Sequence, residues 1–212
     1  TIKKIYSLIN NFKISPSVVL DLFDGIESDL KEKIKLNSNK ELLIYSYRVA
    51  GTVGLMMAKI LNLKSKNSFK SAIDLGIAMQ LTNISRDVVE DGKRNRIYIN
   101  PDFETIKETL ELANKFYESS FKSIKEIPFR SRFAIIVARR IYREIGNKIL
   151  SKKNMENYNN SGKIYVSNFS KTYQTFLSIF DLVRLLFVKS EEHLRNEERD
   201  IISEEINLNE RI

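Results

Sequence analysis

The chain has 212 residues with only 7 glycines and 3 prolines, which predicts a single domain of long helices rather than many short strands. It has no cysteine, which excludes disulfides and thiolate metal sites, and no signal peptide or run of about eighteen apolar residues that would direct export or span a membrane. The formal charge of +8 suits nucleic acid, an anionic membrane surface or an anionic substrate. Nucleic acid is the weakest of these, because the basic residues are spread through helical patterns without a recognition motif.

The chain opens with two short predicted helices. Apolar residues at helical spacing indicate a helix in residues 1–12, and because the first residue is threonine we expect the natural chain to start further upstream. Ser15 and Pro16 predict the N-cap and first turn of a second helix. On this helix we interpret Asp21 and Asp24 as a solvated acidic face rather than a metal pair. Its predicted core stripe consists of Val18, Val19, Leu22, Phe23 and Ile26.

A long helix is predicted over residues 39–63, with Gly51 and Gly54 in its interior. A glycine inside a helix costs about 1 kcal/mol relative to alanine, so these positions are expected to allow close approach of a neighbouring helix or of an extended ligand. Tyr45 and Arg48 share one face of this helix, where a buried tyrosine and a surface ion pair are the alternatives to a functional role. A smooth trough is predicted from Ala50, Gly51, Gly54, Leu55 and Ala58.

The next predicted helix starts with Ser68 as its cap and ends near Gly92. Its opposite faces differ. Apolar residues line one face, namely Leu81, Ile84 and Val88. A polar stripe follows steps of three or four along the other, formed by Gln80, Asn83, Asp87 and Asp91. A helix this apolar is normally buried, so the stripe is expected to face an internal cavity, as in bundles that bind metal between their helices.

Asp87 and Asp91 lie where carboxylates are unfavourable. Like charges at this spacing repel by roughly 0.2–0.5 kcal/mol, and the helix dipole disfavours acids near a C-cap such as Gly92. A bound magnesium ion would offset both unfavourable effects, since it takes one or two carboxylates and completes its shell with water and substrate phosphate. Nearby basic residues could bind the rest of a diphosphate, namely Arg86, Lys93, Arg94 and Arg96. Spacing alone leaves a second interpretation open, a solvated helix end whose acids pair with these arginines.

The remaining elements are predicted from periodicity and turn residues. An amphipathic helix covers residues 103–125, and Pro128 starts another whose five arginines are interpreted mainly as a solvated face. Residues 154–167 are predicted to be a loop. The last helix, residues 171–188, is apolar enough to close the core or to rest against a membrane.

The C-terminal residues are highly charged. Residues 190–212 are predicted to be a frayed helix or disordered. His193 is the only histidine, and its position in this segment argues against a catalytic role. The predicted organisation is therefore a helical domain, residues 1–190, followed by a charged tail, residues 191–212.

Two long blocks of the sequence resemble the squalene/phytoene synthase family. Residues 74–91, followed by Arg-Ile-Tyr at 96–98, are similar to its second aspartate-rich motif, and residues 45–54 are similar to its other signature. The resemblance extends from about Ser15 to about Leu177 and is strongest to bacterial phytoene synthases. No match is found for the family's first aspartate-rich motif, which lies upstream in its members, so the N-terminal part of the domain is expected to be incomplete.

The resemblance implies an all-α fold, a single-domain bundle of long helices around a central cavity of the isoprenoid synthase type. It implies head-to-head condensation of two geranylgeranyl diphosphates to phytoene through a cyclopropyl intermediate, a step of carotenoid biosynthesis. The implied cofactor is Mg²⁺, with Mn²⁺ as a substitute, and phytoene formation needs no nicotinamide cofactor. The implied partner is a prenyl diphosphate, not nucleic acid.

The family's functional residues can be carried onto matching positions. The resemblance implies catalytic roles for Tyr45, Arg48, Asp87 and Asp91, with Tyr45 near the reacting carbons. The implied metal ligands are Asp87, Asp91 and Asn83. Diphosphate binding is implied for Arg48, Gln80, Asn83, Arg86 and Arg96.

Three other functions remain open from the sequence. The chain could be a squalene-type synthase, a non-catalytic relative or fragment that binds a partner or lipid, or a protein that only binds anionic membranes. Membrane binding alone predicts affinity lost with salt and no magnesium dependence. We expect a monomer or weak oligomer, located in the cytoplasm with peripheral membrane contact as an additional expectation.

Overall fold

The computed structural model of the protein describes residues 2–188, 193 and 197–212. Its first helices are α1 (Ile2–Asn11), α2 (Pro16–Ser28), α3 (Asn39–Ser46), α4 (Thr52–Ile60) and α5 (Lys66–Gly92). They are followed by α6 (Phe103–Phe121), α7 (Phe129–Leu150), α8 (Met155–Asn160), α9 (Asn168–Phe187), α10 (Glu197–Ser203) and α11 (Leu208–Arg211). The predicted all-α bundle of long helices is confirmed.

Helix α5 is the centre of the bundle. It is 27 residues long and packs against α4, α6 and α7. Its N-cap is Ser65, whose hydroxyl accepts a hydrogen bond from the Ser68 backbone amide at 3.0 Å. The prediction that Ser68 caps this helix is therefore wrong, because Ser68 lies one turn inside it and its side chain is buried.

The helix predicted over residues 39–63 forms as one helical segment that ends at Ile60. It consists of α3, a π-helical turn at Tyr47–Gly51, and α4, and the residues that join them keep right-handed helical angles. A π-helical turn inserts an extra residue and is often found at functional sites. Here it includes Arg48, one of the predicted site residues.

Two glycines allow α5 to touch α4 and the π-helical turn before it through their backbones. A Cβ atom on Gly54 would lie 2.1 Å from the carbonyl oxygen of Ala72, and one on Gly76 would lie 2.3 Å from that of Ala50. No side chain fits at such distances. Of the two uses predicted for Gly54, close approach of a neighbouring helix is the one the structure confirms.

A pair of two-residue strands joins the segment after α2 to the segment after α5. Strand β1 (Ile34–Lys35) runs parallel to β2 (Arg96–Ile97), with Ile34 opposite Arg96. These strands were not predicted from the sequence, because two residues are too few to show a periodic pattern. They fix the residues after the aspartate-rich helix beside the end of α2.

The predicted core stripe of α2 is only partly correct. Val18 is buried, whereas Phe23 and Ile26 are exposed. Asp21 is buried instead, where it accepts hydrogen bonds from the Tyr47 hydroxyl at 3.0 Å and from Arg211 Nε at 2.9 Å. The interpretation of Asp21 as part of a solvated face is wrong, because partners from distant parts of the chain cover it.

The arginines of α7 are not all on a solvated face. Arg139 is 4% exposed, and its Nε and terminal nitrogens donate to the Tyr117 carbonyl oxygen at 3.1 and 2.8 Å. Burial lowers the pKa of Arg139 to about 10. Arg140 Nε forms an ion pair with Asp181 on α9 at 2.6 Å. These arginines therefore help to join α7 to its neighbours.

The C-terminal segment is folded over residues 197–212. Its apolar side chains Ile202, Ile206 and Leu208 are buried. Arg199 Nε lies 3.3 Å from buried Asp74 of α5, and His193 also contacts this carboxylate. The prediction of a frayed or disordered tail is wrong for residues 197–212, whereas residues 190–192 and 194–196 lie outside the described residues.

Candidate active site

Asp87 lies among basic side chains near the C-terminal end of α5. Arg86 Nε donates to Asp87 Oδ1 at 2.8 Å, and a second guanidinium nitrogen donates to Oδ2. Lys163 Nζ lies 3.5 Å from Asp87 Oδ1 and 2.7 Å from Glu90 Oε2. The Asp87 side chain is 18% exposed, so it does not extend into open solvent. Burial acts to raise its pKa, but the hydrogen bond and charge of Arg86 and the charge of Lys163 hold that pKa below its ordinary value.

The pKa of Asp91 is shifted in the opposite direction, above its ordinary value. Burial raises its pKa, and the charge of Asp87 raises it further, while Arg96 and Arg94 offset part of the effect. Asp91 lines a small cavity of about 80 Å³ together with Arg96 and Tyr98. Basic side chains therefore offset the negative charge of Asp87, whereas they offset that of Asp91 only in part.

We predict that Asp91→Asn raises the melting temperature of the protein in EDTA at pH 7. The pKa of Asp91 is higher in the folded state than in the unfolded state, so its ionisation opposes folding once the pH exceeds its folded pKa. The gain should therefore shrink as the pH is lowered towards the ordinary aspartate pKa. Glu90→Gln is the control, since Glu90 is more exposed and pairs with Lys163. Thermal unfolding followed by circular dichroism tests this, and a lower melting temperature for Asp91→Asn would contradict it.

The polar stripe continues from this end into an apolar cavity. Gln80 and Asn83 line a cavity of about 330 Å³ between α4, α5, α6 and α7. The side-chain oxygen of Asn83 is buried and has no hydrogen-bond partner among the described residues. An unpaired buried amide oxygen is unfavourable, so this atom is available to a ligand. Asp87 and Asp91 do not line this cavity and lie beyond its polar end.

The oxygen atoms near the end of α5 are too few to hold a metal ion by themselves, so a metal bound there would also need oxygens from a ligand. Within the described part of the chain, no three His, Cys, Asp or Glu side chains are placed to hold an ion. The donors on one stripe of α5 are the carboxylates of Asp87 and Asp91 and the amide oxygen of Asn83. Magnesium commonly uses one or two carboxylates and takes its other oxygens from water and phosphate, so these residues are of the kind that would hold Mg²⁺ when a phosphate ligand supplies further oxygens.

Tyr45 belongs to a second cluster beside the aspartate pair. Its hydroxyl donates to Asp29 at 3.0 Å, and the hydroxyl of Tyr98 donates to the same carboxylate at 2.8 Å. The two rings stack with centroids 4.7 Å apart. A terminal nitrogen of Arg96 donates to the Asp29 carbonyl oxygen at 3.2 Å, which links this cluster to the Asp91 cavity. Burial raises the pKa of Tyr98 to about 12 and raises that of Tyr45 as well, so both rings stay neutral at physiological pH.

Arg48 lies with acids of α2 and of the C-terminal segment. Its guanidinium is 3.8 Å from Asp24 and 3.6 Å from Glu205, and its Nε is buried without a hydrogen-bond partner in the described residues. A role in diphosphate binding remains a prediction for Arg48. That role would require the guanidinium to exchange one of these carboxylates for the ligand.

Three residues at these clusters were missed as site residues in the sequence analysis. Tyr98 is the last residue of the Arg-Ile-Tyr motif, and Lys163 follows α8 by three residues. A motif comparison extended over these positions could have identified both. Tyr158 of α8 gave no signal, because its segment was predicted to be a loop. Its hydroxyl donates to the carbonyl oxygens of Ser85 and Arg86 at 3.0 and 2.7 Å and holds the end of α5 in place.

The predicted small-residue trough forms one wall of the apolar cavity. Ala50, Gly54 and Ala58 line it. The prediction is wrong for Gly51, which is packed against the side chains of Tyr47 and Ile73, and for Leu55, which is buried away from the cavity. A larger cleft of about 940 Å³ between β1, α3, α6 and α10 is bordered by charged side chains, which makes it unsuited to a hydrocarbon chain.

A bundle of long helices around an apolar cavity, with two aspartates at the end of the central helix, is an all-α isoprenoid synthase fold. The chain is similar to the squalene/phytoene synthase family, whose model matches residues 2–103. A phytoene synthase of Pseudescherichia vulneris is 33% identical over 157 residues, which cover 64% of this chain and 50% of that protein. Chloroplastic phytoene synthase 1 of Solanum lycopersicum is 32% identical over 191 residues, which cover 77% of this chain and 45% of that protein.

Solved structures show the same architecture. A dehydrosqualene synthase in complex with ligand superposes with a TM-score of 0.69 at 27% identity, covering 84% of this chain and 69% of that chain. YisP from Bacillus subtilis strain 168 shares the fold, with a TM-score of 0.65 at 20% identity over 79% of this chain and 74% of that chain. The chain spans about half the length of the curated relatives it matches. Among the described residues, no helix combines the length and apolarity needed to cross a bilayer.

Proposed function

We propose that the protein joins two molecules of geranylgeranyl diphosphate head to head to form phytoene, with loss of two diphosphates. The observation that carries this proposal is the stripe on α5, where Asp87 and Asp91 are followed by Asn83 and Gln80 at the wall of an apolar cavity. A diphosphate at the carboxylate end would leave its hydrocarbon chain in the cavity. Relatives named phytoene synthase favour this product.

The polar end of the site would bind and orient the diphosphate. Asp87, Asp91 and Asn83 would hold Mg²⁺, or Mn²⁺ in its place, and the bound ion would supply charge neutralisation on the leaving diphosphate oxygens. Arg86 and Arg96 would donate hydrogen bonds to the same group. Since Arg86 is paired with Asp87 in the structure, it would have to share its donors between the carboxylate and the ligand.

The apolar end would protect the allylic carbocation that remains when diphosphate leaves. The mainly apolar lining of the cavity between α4, α5, α6 and α7 would reduce contact of the cation with water. The stacked rings of Tyr45 and Tyr98 lie outside this cavity, beside Asp91, where they are fixed by Asp29 and stay neutral. An aromatic face there would stabilise a cation close to the diphosphate end. Phytoene formation in this scheme needs no nicotinamide cofactor, unlike the squalene-type alternative.

The test is incubation of the protein with labelled geranylgeranyl diphosphate and Mg²⁺, followed by analysis of the organic phase. We expect a C40 hydrocarbon without added nicotinamide cofactor. A reduced C30 product formed from farnesyl diphosphate only with a nicotinamide cofactor would favour a squalene-type synthase. Binding of the diphosphate without its consumption would favour a non-catalytic relative, an alternative that the pairing of Asp87 with Arg86 and Lys163 supports.

The outer face of α9 supports a second proposal, contact with a membrane surface that supplies the greasy substrate. Large apolar side chains recur at steps of three and four along this helix and are exposed, namely Phe169, Tyr173, Phe176, Phe180, Val183 and Phe187. The stripe is about 27 Å long at the usual helical rise. An exposed apolar stripe of this kind is typical of helices that lie in the membrane interface.

We predict that replacing Phe176 and Phe180 together with serine weakens binding to anionic phospholipid vesicles by about tenfold or more, since each buried ring contributes about 1.5–3 kcal/mol. The two rings pack edge to face, 5.7 Å apart, on the exposed stripe. Phe23→Ser on α2 is the matched control, because this ring is equally exposed but lies on another helix. Vesicle sedimentation at physiological salt measures the effect. Equal binding of all three proteins would remove α9 from the membrane contact.

A further inference from the structure

A polar cavity of about 250 Å³ lies between α6, α7 and α9 and shares no lining residue with the apolar cavity or with the Asp91 cavity. Four arginines line it, namely Arg139, Arg140, Arg143 and Arg184. Three acids line it as well, namely Glu118, Glu144 and Asp181. Four positive charges against three negative ones leave one net positive charge, which suits an anion with a single negative charge.

The arginines differ in how far the protein already satisfies them. Arg140 is paired with Asp181 of α9 at 2.6 Å, and Arg143 is paired with Glu118 of α6 at 2.7 Å. Arg184 of α9 is exposed and has neither a hydrogen-bond acceptor nor an ion-pair partner among the described residues. A guanidinium group has five N–H donors, so those of Arg184 are available to a ligand.

The ring of Phe121 holds two of the guanidinium groups beside the cavity. The guanidinium carbons of Arg139 and Arg184 lie 4.7 and 5.3 Å from the centre of this ring. Arg139 is buried, and burial together with the charge of Arg143 lowers its pKa to about 10. Because these positive charges lie close together, an anion bound among them would be stabilised by more than one arginine.

Arg184 also borders the exposed apolar stripe of α9. It follows Phe180 by four residues and precedes Phe187 by three, so the three side chains are neighbours on the helix surface. Both rings are exposed. The cavity and the apolar stripe therefore meet at Arg184. A ligand that reaches both needs an anionic group with hydrocarbon next to it, and a phospholipid with one phosphodiester has this chemistry.

We propose that this cavity binds the phosphodiester of an anionic phospholipid, with Arg184 as its main donor and the acyl chains against the stripe of α9. The inference rests on the second proposal above, contact of α9 with a membrane. Guanidinium groups pair with phosphate through two parallel hydrogen bonds. A soluble phosphate compound lacks the apolar contact and meets only one net positive charge, so it is expected to bind much more weakly.

Arg184→Gln tests this inference, because it removes a guanidinium on which no described ion pair depends. Affinity for dihexanoyl phosphatidylglycerol is expected to fall by about tenfold, the size of effect of a lost charge-assisted hydrogen bond. This short-chain lipid is used below its critical micelle concentration, since a vesicle surface would respond to any lost positive charge. Calorimetric titration of the full chain in EDTA measures the affinity without a divalent ion at the aspartate pair.

Arg130→Gln is the matched control. It removes the same charge from an exposed position of α7 that does not line the cavity. Affinity for the short-chain lipid should stay within about twofold of that of the unaltered protein. Arg184→Lys keeps the charge but loses the planar fork, so it should bind the lipid more weakly than the unaltered protein. Circular dichroism shows that each variant folds.

The source of the phosphate is tested with glycerophosphoglycerol, which is the same headgroup without acyl chains, and with inorganic phosphate. We expect no binding of either at the concentrations used for the lipid. If either bound as tightly as the lipid, the site would belong to a soluble phosphate compound and the lipid assignment would be overturned.

Failure of the headgroup site can be told apart from failure of the membrane contact. If Arg184→Gln bound the short-chain lipid as tightly as Arg130→Gln, or if the unaltered protein bound vesicles but not this lipid, the headgroup site alone would fall. If the unaltered protein bound neither vesicles nor the short-chain lipid, the membrane contact of α9 would fall, and the headgroup site with it.

Discussion

Asp87→Ala is expected to lower C40 hydrocarbon formation by about a thousandfold, the size of effect seen when an enzyme loses a main contact to developing charge. The substitution removes one of the two carboxylates proposed to hold Mg²⁺. It also leaves Arg86 without the partner that fixes its guanidinium. The measurement is product formation from labelled geranylgeranyl diphosphate at saturating Mg²⁺, together with a circular dichroism spectrum to show that the variant folds.

Glu90→Gln is the control for this experiment. Glu90 lies on the same turn of α5, is more exposed and forms an ion pair with Lys163, so the substitution changes the charge by the same amount close to Asp87. We expect its product formation to stay within about threefold of the unaltered protein, as for most exposed ion pairs. If Asp87→Ala and Glu90→Gln had the same small effect, Asp87 would have no direct part in the reaction.

Gly54→Ala is expected to lower the free energy of unfolding by about 3 kcal/mol, at the upper end of the usual range for overpacking. The added Cβ atom would lie 2.1 Å from the Ala72 carbonyl oxygen, and backbone cannot rotate away as a flexible side chain can. Helices α4 and α5 would have to separate, although alanine is the better helix former. Urea unfolding of the protein at 25 °C measures the change.

Gly92→Ala separates this clash from the ordinary effect of adding a methyl group to a helical glycine. A Cβ atom at Gly92 meets nothing within 4 Å. This variant should be as stable as the unaltered protein or more stable by up to about 1 kcal/mol. A Gly54→Ala variant as stable as Gly92→Ala would mean that α4 and α5 are not in backbone contact.

Local periodicity was enough to predict most helices and the polar stripe of α5. The expectation that the stripe faces the apolar cavity is met for Gln80 and Asn83 but not for Asp87 and Asp91, because helical spacing shows which residues share a face but not how far a cavity extends along it. The π-helical turn at Tyr47–Gly51 and the two-residue strands left no such pattern. The predicted core face of α2 failed at Phe23, because periodicity shows which residues are apolar but not which face other elements cover.

Contacts between distant parts of the chain could not be predicted from one sequence. Tyr45 is held by Asp29 and stacks on Tyr98, more than fifty residues away from it. Glu205 lies beside Arg48 because residues 197–212 pack against α3 and, through Arg211, against Asp21 of α2. The resemblance to a family identified the motif residues, but their hydrogen-bond partners depend on packing that only the structure provides.

The proposed reaction requires Asp87 and Asp91 to bind diphosphate through a divalent ion. Calorimetric titration with inorganic pyrophosphate tests this most directly, because it needs neither a hydrocarbon chain nor turnover. We expect binding in Mg²⁺, none in EDTA, and none in either condition for the double variant Asp87→Asn, Asp91→Asn. Pyrophosphate binding that is equally tight in EDTA, or unchanged in the double variant, would contradict the account.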